Sequence, residues 1–187
     1  MTAFNKAIPV LVSDTINIPQ PGSYQSGASS TSGATLTGPV TAKYLGTFNP
    51  AQTGYSGKVA VGDVVYVDDN ATNRPAFITQ VTDVVSDNVL TLDPPVGGIT
   101  APYNFKIYRS NGALANNLQG NPGYGLVGPF ATSTVINCIP AGQEDPVFIK
   151  PNDTSDLSLE KMRIQRVFST GTVNLDAYGL VAIEPES

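Results

Sequence analysis

The side chains of this chain with the most chemical potential are carboxylates. Asp63, Asp68, Asp69 and Asp83 fall close together along the sequence. Two carboxylates held apart across a cleft are the equipment of a glycosidase, one serving as acid and the other as base or nucleophile. Sugar-handling sites usually add aromatic platforms, however, and the chain has no Trp. Two of the four acids also sit in or beside turn sequences, where Asp is favoured for backbone reasons. "DDNATN" and "NDTSD" cluster oxygen ligands that calcium accepts. Neither has the spacing of a calcium loop, with its central Gly and closing Glu. There is no His and a single Cys, Cys138, set in a β-like run, so nothing is at hand to activate a nucleophile. Cys138 reads as a buried, inert thiol. "GYGLVG" lacks the lysine and the helix of a phosphate loop. Asn70 and Asn152 open glycosylation sequons without a secretion signal to go with them. The expectation is a protein with no catalytic residue, no bound metal and no cofactor.

Composition narrows the class further. Of 187 residues, 41% are hydrophobic, which is enough for a packed core, and only 13% are charged. A surface rich in hydroxyl and amide groups but poor in charge suits contact with other protein. The net charge of −5 is unevenly placed. Residues 1–62 carry Lys6, Lys43 and Lys58 against Asp14 alone, whereas residues 111–143 carry no charge and residues 144–187 are acidic. No basic patch of the kind a nucleic-acid binder needs is present. The one apolar run near the N-terminus is too short to span a membrane. Neither nucleic acid nor membrane is expected as a partner.

The elements that would hold these residues are strands. Helical periodicity is confined to "NDTSDLSLEKM", residues 152–162; elsewhere short β-runs alternate with Gly, Pro, Asn and Asp. The fold class expected is all-β: a small SH3-like or related β-barrel followed by a small β-sandwich, with an extended N-terminal arm. Residues 1–40 form the arm, since "AIPVLVSDTINI" is one extended run and the Gly/Ser/Thr-rich stretch after it has no hydrophobic period. Residues 41–109 form the barrel, with strands at "VGDVVYVDD", "PAFITQVTDVV", "VLTLD" and "YNFKIYR" and a turn at Ser86-Asp87-Asn88. Residues 110–129 are a linker or interface loop. Residues 130–187 form the sandwich, from "STVINCI", "PVFIK", "MRIQRVF" and "YGLVAI".

The run "MRIQRVFSTGT" breaks its own alternation at Gln165-Arg166. One extra residue in a strand is a β-bulge. With it Met162, Ile164 and Val167 face one core and Arg163 and Arg166 point away, while Gly171 is free to take positive φ in the turn. "YGLVAI" is apolar on both faces and needs cover on both, from another subunit or from Leu126 to Phe130 of the linker.

"INCIPAG" followed by "MRIQRVFSTGT" and a closing "LVAI" resembles a C-terminal β-module of tailed-bacteriophage virion proteins. The chain departs from that pattern by an insertion, "QEDPVFIKPNDTSDLSLEK". "VGDVVYV", "AFITQV", "NVLTLD" and "FKIY" resemble a barrel pattern of phage structural proteins. Together the two cover a little over half the chain. The resemblance implies a capsid decoration, or cement, protein: a homo-oligomer, with a trimer favoured, that sits on the capsid surface of the virion and binds between subunits of the major capsid protein. The expected contacts are Phe4, Ile8, Val10, Val12 and Ile16, adding as a strand to a neighbour's sheet edge, with Arg163 and Arg166. Removal of residues 1–20 should then leave a folded protein that no longer binds capsids. Alternatives are a head fibre, a neck or tail component, or a carbohydrate-binding module with Tyr24, Tyr55 or Tyr124 as platforms.

Overall fold

The computed structural model describes residues 7–19, 24–31, 33–38, 59–72, 74–86, 88–99, 101–110, 123–151, 162–175 and 180–183. Every regular element among them is a strand, so the chain is all-β as its punctuation implies. The helix-compatible run lies almost wholly outside the described residues. Two units emerge: residues 1–22 together with 111–187, and residues 23–110. The stretch expected to be an arm is therefore divided between them.

The unit of residues 23–110 is one antiparallel six-stranded sheet. Its strands are β2 (Tyr24–Ser29), β3 (Gly33–Thr37), β4 (Val64–Asp69), β5 (Arg74–Ser86), β6 (Val89–Val96) and β7 (Tyr103–Tyr108), in the order β2-β7-β4-β5-β6-β3. The two edge strands are consecutive in sequence and joined by residues 30–32, with the Ser30 N–H donating to the Thr37 carbonyl at 2.8 Å. A sheet whose opposite edges are joined by so short a connection has to curl, and the result is an open barrel. Alternation then places Val65, Val67, Val81, Leu90, Leu92, Phe105 and Ile107 in a shared buried core. Strands β4 to β7 fall where the alternation puts them. β6 outruns its expected end at Asp93, continuing through Pro94 and Pro95. The ring nitrogens cannot donate to a ladder, and the register of β3 against β6 shifts beside them, between Gly33 and Thr35.

β2 and β3 are the clearest departure from expectation. Their Gly, Ser and Thr residues show no hydrophobic period, yet β2 pairs with β7 from Tyr24–Tyr108 to Ser29–Tyr103. Strand pairing here rests on backbone groups, with Leu36 the fully buried anchor of β3. Hydroxyls finish the job at the connection: Thr31 Oγ1 donates to the Thr35 carbonyl at 3.0 Å and accepts from the Thr37 N–H at 3.1 Å.

The other unit holds two three-stranded antiparallel sheets. One has the order β1-β12-β8, from Ala7–Pro9, Val181–Ile183 and Gly125–Val127; the other has the order β10-β9-β11, from Val147–Ile149, Ile136–Pro140 and Ile164–Val167. A bridge between Tyr124 and Ile164, with both backbone bonds at 2.8 Å, links the two. Its neighbour Gly123 has φ +66° and lies so close to Arg163 that a Cβ would stand 2.7 Å from the Arg163 carbonyl carbon. Only glycine fits there. The expected sandwich of residues 130–187 thus lacks two of its strands. β1 and β8 come from the arm and the linker.

Candidate interaction surface

Both edges of the last strand are paired within this chain, and Leu180, Ala182 and Ile183 are buried. β12 lies between β1 and β8, with Ala7, Ile8 and Pro9 opposite Ile183, Ala182 and Val181 on one side and Leu126 opposite Ala182 on the other. Beyond β1 the N-terminal segment crosses to β11. Val10 N–H donates to the Leu180 carbonyl, Ser13 N–H to Val167 and Ile18 N–H to Gln165, each at 2.9 Å. Ile8, Val10, Ile16 and Ile18 are all buried. Strand addition takes place as the apolar pattern suggests, but onto the chain's own sheet. Ile8, Val10 and Ile16 are consequently core residues of their own unit, not a surface for a neighbour. Val12 is half-buried, and Phe4 lies outside the described residues.

Burial gives this segment a share in the stability of its unit. A fully buried Val or Ile contributes about 1.5–3 kcal/mol, so four contribute on the order of 6–12 kcal/mol. That matches the whole net stability of a typical domain, about 5–15 kcal/mol. Ordering the segment offsets part of this, and removal of residues 1–20 is expected to destabilise this unit.

The break in alternation is a bulge, as read. The register of β11 on β9 shifts between Ile164 and Arg166, leaving Gln165 as the extra residue, and Ile164 and Val167 are buried. Gly171 takes φ +83°. Arg166, however, is not aimed outward: only 9% of it is exposed. Its Nε donates to Asn17 Oδ1 at 2.7 Å and its Nη1 to the Asp14 carbonyl at 3.1 Å, while the guanidinium stands 5.7 Å from the Phe168 ring centre. Burial draws its pKa down, and the charge of Asp14 partly opposes that. Asp14 completes the clamp from its side, accepting from Thr170 N–H at 2.9 Å and Thr170 Oγ1 at 2.8 Å. These bonds, with those from the Ser169 side chain and backbone, hold its carboxyl below the usual range. The bulge turns Arg166 toward residues 14–17, and no local signal in the sequence marks that partner.

Of the expected contacts, Arg163 alone is both described and exposed. On the unit that holds Arg163, the structure adds two that sequence reasoning passed over. Phe148, in β10, is 66% exposed and Val173 is 48% exposed. Phe148 shares a face of its sheet with its partner Asn137. Its ring lies so near the Gly171 turn that a Cβ there would meet Phe148 Cε1 at 2.9 Å. Val173 bridges to Val135 at the end of β9. In a three-residue strand, apolar throughout, periodicity cannot say which residue faces water.

Of the four carboxylates singled out in the sequence, Asp63 and Asp69 are engaged in holding the fold. Asp63 is buried and accepts from Ala60 N–H at 2.9 Å, Arg109 Nη1 at 2.9 Å and Ser110 N–H at 3.3 Å, tying the start of β4 to the end of β7. Asp69 accepts from Ala71 N–H at 3.0 Å in the turn after β4. Burial raises the pKa of Asp68, opposed by Lys106, and Asp83 is exposed. Cys138 is fully buried and its thiol is pushed up to about 12 by that burial. Among the described residues no three His, Cys, Asp or Glu side chains group as metal ligands do. Tyr124 is only 3% exposed and cannot serve as a stacking platform; Tyr55 and the side chain of Tyr24 lie outside the description. The chain matches no family model, no curated protein and no solved structure.

Proposed function

We propose that this chain is a non-catalytic structural protein of a tailed-phage virion, decorating the capsid surface by binding between major capsid protein subunits. The observation that carries the reading is how the fold uses its polar groups. Asp14, Asp63 and Arg166 hold segments of the chain together, while Arg163, Phe148 and Val173 stand exposed on the C-terminal unit. The sequence runs that resemble virion modules supply strands β9, β11 and β12 of that unit. The N-terminal and C-terminal strands pair with each other, which suits a part that must stay folded on a particle surface. Contacts made by an isolated exposed Phe or Arg are weak singly; many copies on one lattice add them.

Quantitative mass spectrometry of purified particles tests the reading. Decoration requires on the order of hundreds of copies per particle, whereas a neck, tail or fibre part is present in roughly three to a dozen, the order of a single ring or fibre. Absence from particles overturns the virion assignment altogether. Binding of the purified protein to capsids that lack it, weakened by Arg163→Glu with the fold intact, would place the contact on this unit.

A further inference from the structure

We infer that this chain self-associates by exchange: residues 7–18 of one copy take the seat on β12 and β11 of a second copy, which returns its own segment to the first. The occupant of the seat is known, because in the single chain the same residues already fill it. Pro9 stands opposite Val181, Val10 N–H donates to the Leu180 carbonyl, and Arg166 reaches Asn17. A second copy offers the same carbonyls, the same guanidinium and the same apolar cover. The exchanged pair therefore keeps these contacts of the closed chain. Ile8, Val10, Ile16 and Ile18 are core residues in both forms, of their own unit in one and of the other copy's in the other. Each backbone donor is spent once in either form, never on both sheets. Reciprocal trading closes the pair about a two-fold axis, where the resemblance implies a three-fold assembly.

What separates the two forms is the path between segment and seat. The segment belongs to the unit of residues 1–22 and 111–187, and the whole six-stranded unit is the chain between those two parts. Segment and seat are thus joined through another folded body and not by a turn. Tyr24 lies opposite Tyr108, so the ends of that body emerge side by side. Closure within one chain is then short, and in dilute solution it wins. The advantage is one of effective concentration, about millimolar for a short tether. It fades where copies are packed at comparable density, on a shared surface or during refolding from a concentrated solution. Pro19 acts in the same direction. It fixes its own φ and biases Ile18 toward extended backbone, so the segment leaves its seat without doubling back, and the sequence sets Pro21 two residues on. Exchange of an identical element costs little because its contacts are conserved. The barrier is the opening of the seated segment. Four buried aliphatic side chains and the Arg166 clamp make that step slow, so pairs once formed persist on dilution.

Cysteines placed across the seat test the inference in the full-length chain. Pro9 and Val181, both half-buried, are directly opposed, at the Cα separation of about 4.5–5.5 Å that a disulfide spans. The double variant, Pro9→Cys with Val181→Cys, should close its bridge within one chain when refolded in dilute solution. The two single variants, one carrying a mass tag, are then unfolded, mixed equally and refolded at high concentration. Random pairing makes about half of the exchanged pairs mixed. Under mild oxidation the tagged–untagged disulfide should form at least about tenfold faster than between Pro9→Cys and Val85→Cys, an exposed site on β5 that reports random collision. Buried Cys138 stays out of the reaction. Sedimentation of the refolded wild type should show a mass of two chains that persists on dilution. A mixed disulfide no faster than the collisional rate overturns the inference. So does a wild-type mass of one chain, or of three, after refolding at the highest concentration reached. A double variant that forms no bridge overturns it as well, since Pro9 is then not seated on Val181.

Discussion

Replacing Arg166 by Met preserves most of the side-chain length and removes only the guanidinium. In the fold that group donates to Asn17 Oδ1 at 2.7 Å and to the Asp14 carbonyl at 3.1 Å. Each hydrogen bond from a charged donor is worth about 1.5–3 kcal/mol. The Phe168 contact at 5.7 Å adds about 0.5–1 kcal/mol at a partly exposed ring. Against this, Met leaves no cation to desolvate, which returns part of the sum. Asn17 is itself only 2% exposed, so its oxygen is left buried without the donor. The net loss is about 3 kcal/mol, near the lower end of what breaking a buried charged contact costs. Amide exchange reads it locally, because Ser13 N–H and Ile18 N–H donate to β11 on either side of the clamp. If opening of residues 13–18 governs their exchange, both amides should exchange roughly 150-fold faster in the variant, at 1.4 kcal/mol per tenfold. A change under about fivefold at both amides would refute the reasoning and return Arg166 to the role of an outward-facing contact.

Four further outcomes follow from the same geometry. Gly123→Ala, which forces a side chain into positive φ against the Arg163 backbone, should cost about 2–4 kcal/mol in urea unfolding; a loss under 1 kcal/mol would mean the bridge at Tyr124 gives way freely. Asp63→Ala removes an acceptor from the Ala60 and Ser110 amides and from Arg109 Nη1, and should lower the stability of the barrel by about 2 kcal/mol, with Asp63→Asn recovering part of it. The Cys138 thiol should resist an aromatic disulfide reagent at pH 8 until the chain unfolds. Its folded pKa of about 12 lies above the unfolded value of 9.0, so its contribution to stability is complete below pH 9 and is lost as pH climbs toward 12; a Cys138→Ala variant should show a flatter alkaline melting profile. Deleting residues 1–18 should expose Cys138 to the same reagent, and a truncated chain with a protected thiol would show that β1 and Ile8 are dispensable.

The sequence makes some of these elements easy to read and hides others, for reasons that lie in how each is stabilised. β4, β5 and β7 bury alternate side chains in a common core, so Val65, Val67, Phe105 and Ile107 announce both the strand and its inner face. The bulge at Gln165 is legible because a single slip in period has few structural solutions. β2 and β3 are not legible, since their pairing rests on backbone groups and hydroxyls that Gly, Ser and Thr supply without periodicity. The direction of Arg166 is hidden for a different reason. Its acceptor on Asn17 is 149 residues away, and nothing near Arg166 encodes it.

Ile8, Val10 and Ile16 show where such reading reaches its limit. Their alternation announces a strand that will join a sheet edge, but an edge on this chain and an edge on another copy offer the same carbonyls and the same apolar cover. The choice is made by distance: residues on one chain meet at a local concentration set by the intervening polypeptide, which no dilute partner can match. Once the segment is seated on β12 and clamped by Arg166, its backbone donors at Val10, Ser13 and Ile18 are spent. The groups it spends on its own sheet are not available to a neighbour. A side-chain contact with another protein is then left to what the clamp leaves outside, and among the described residues of this unit Arg163, Phe148 and Val173 are exposed there.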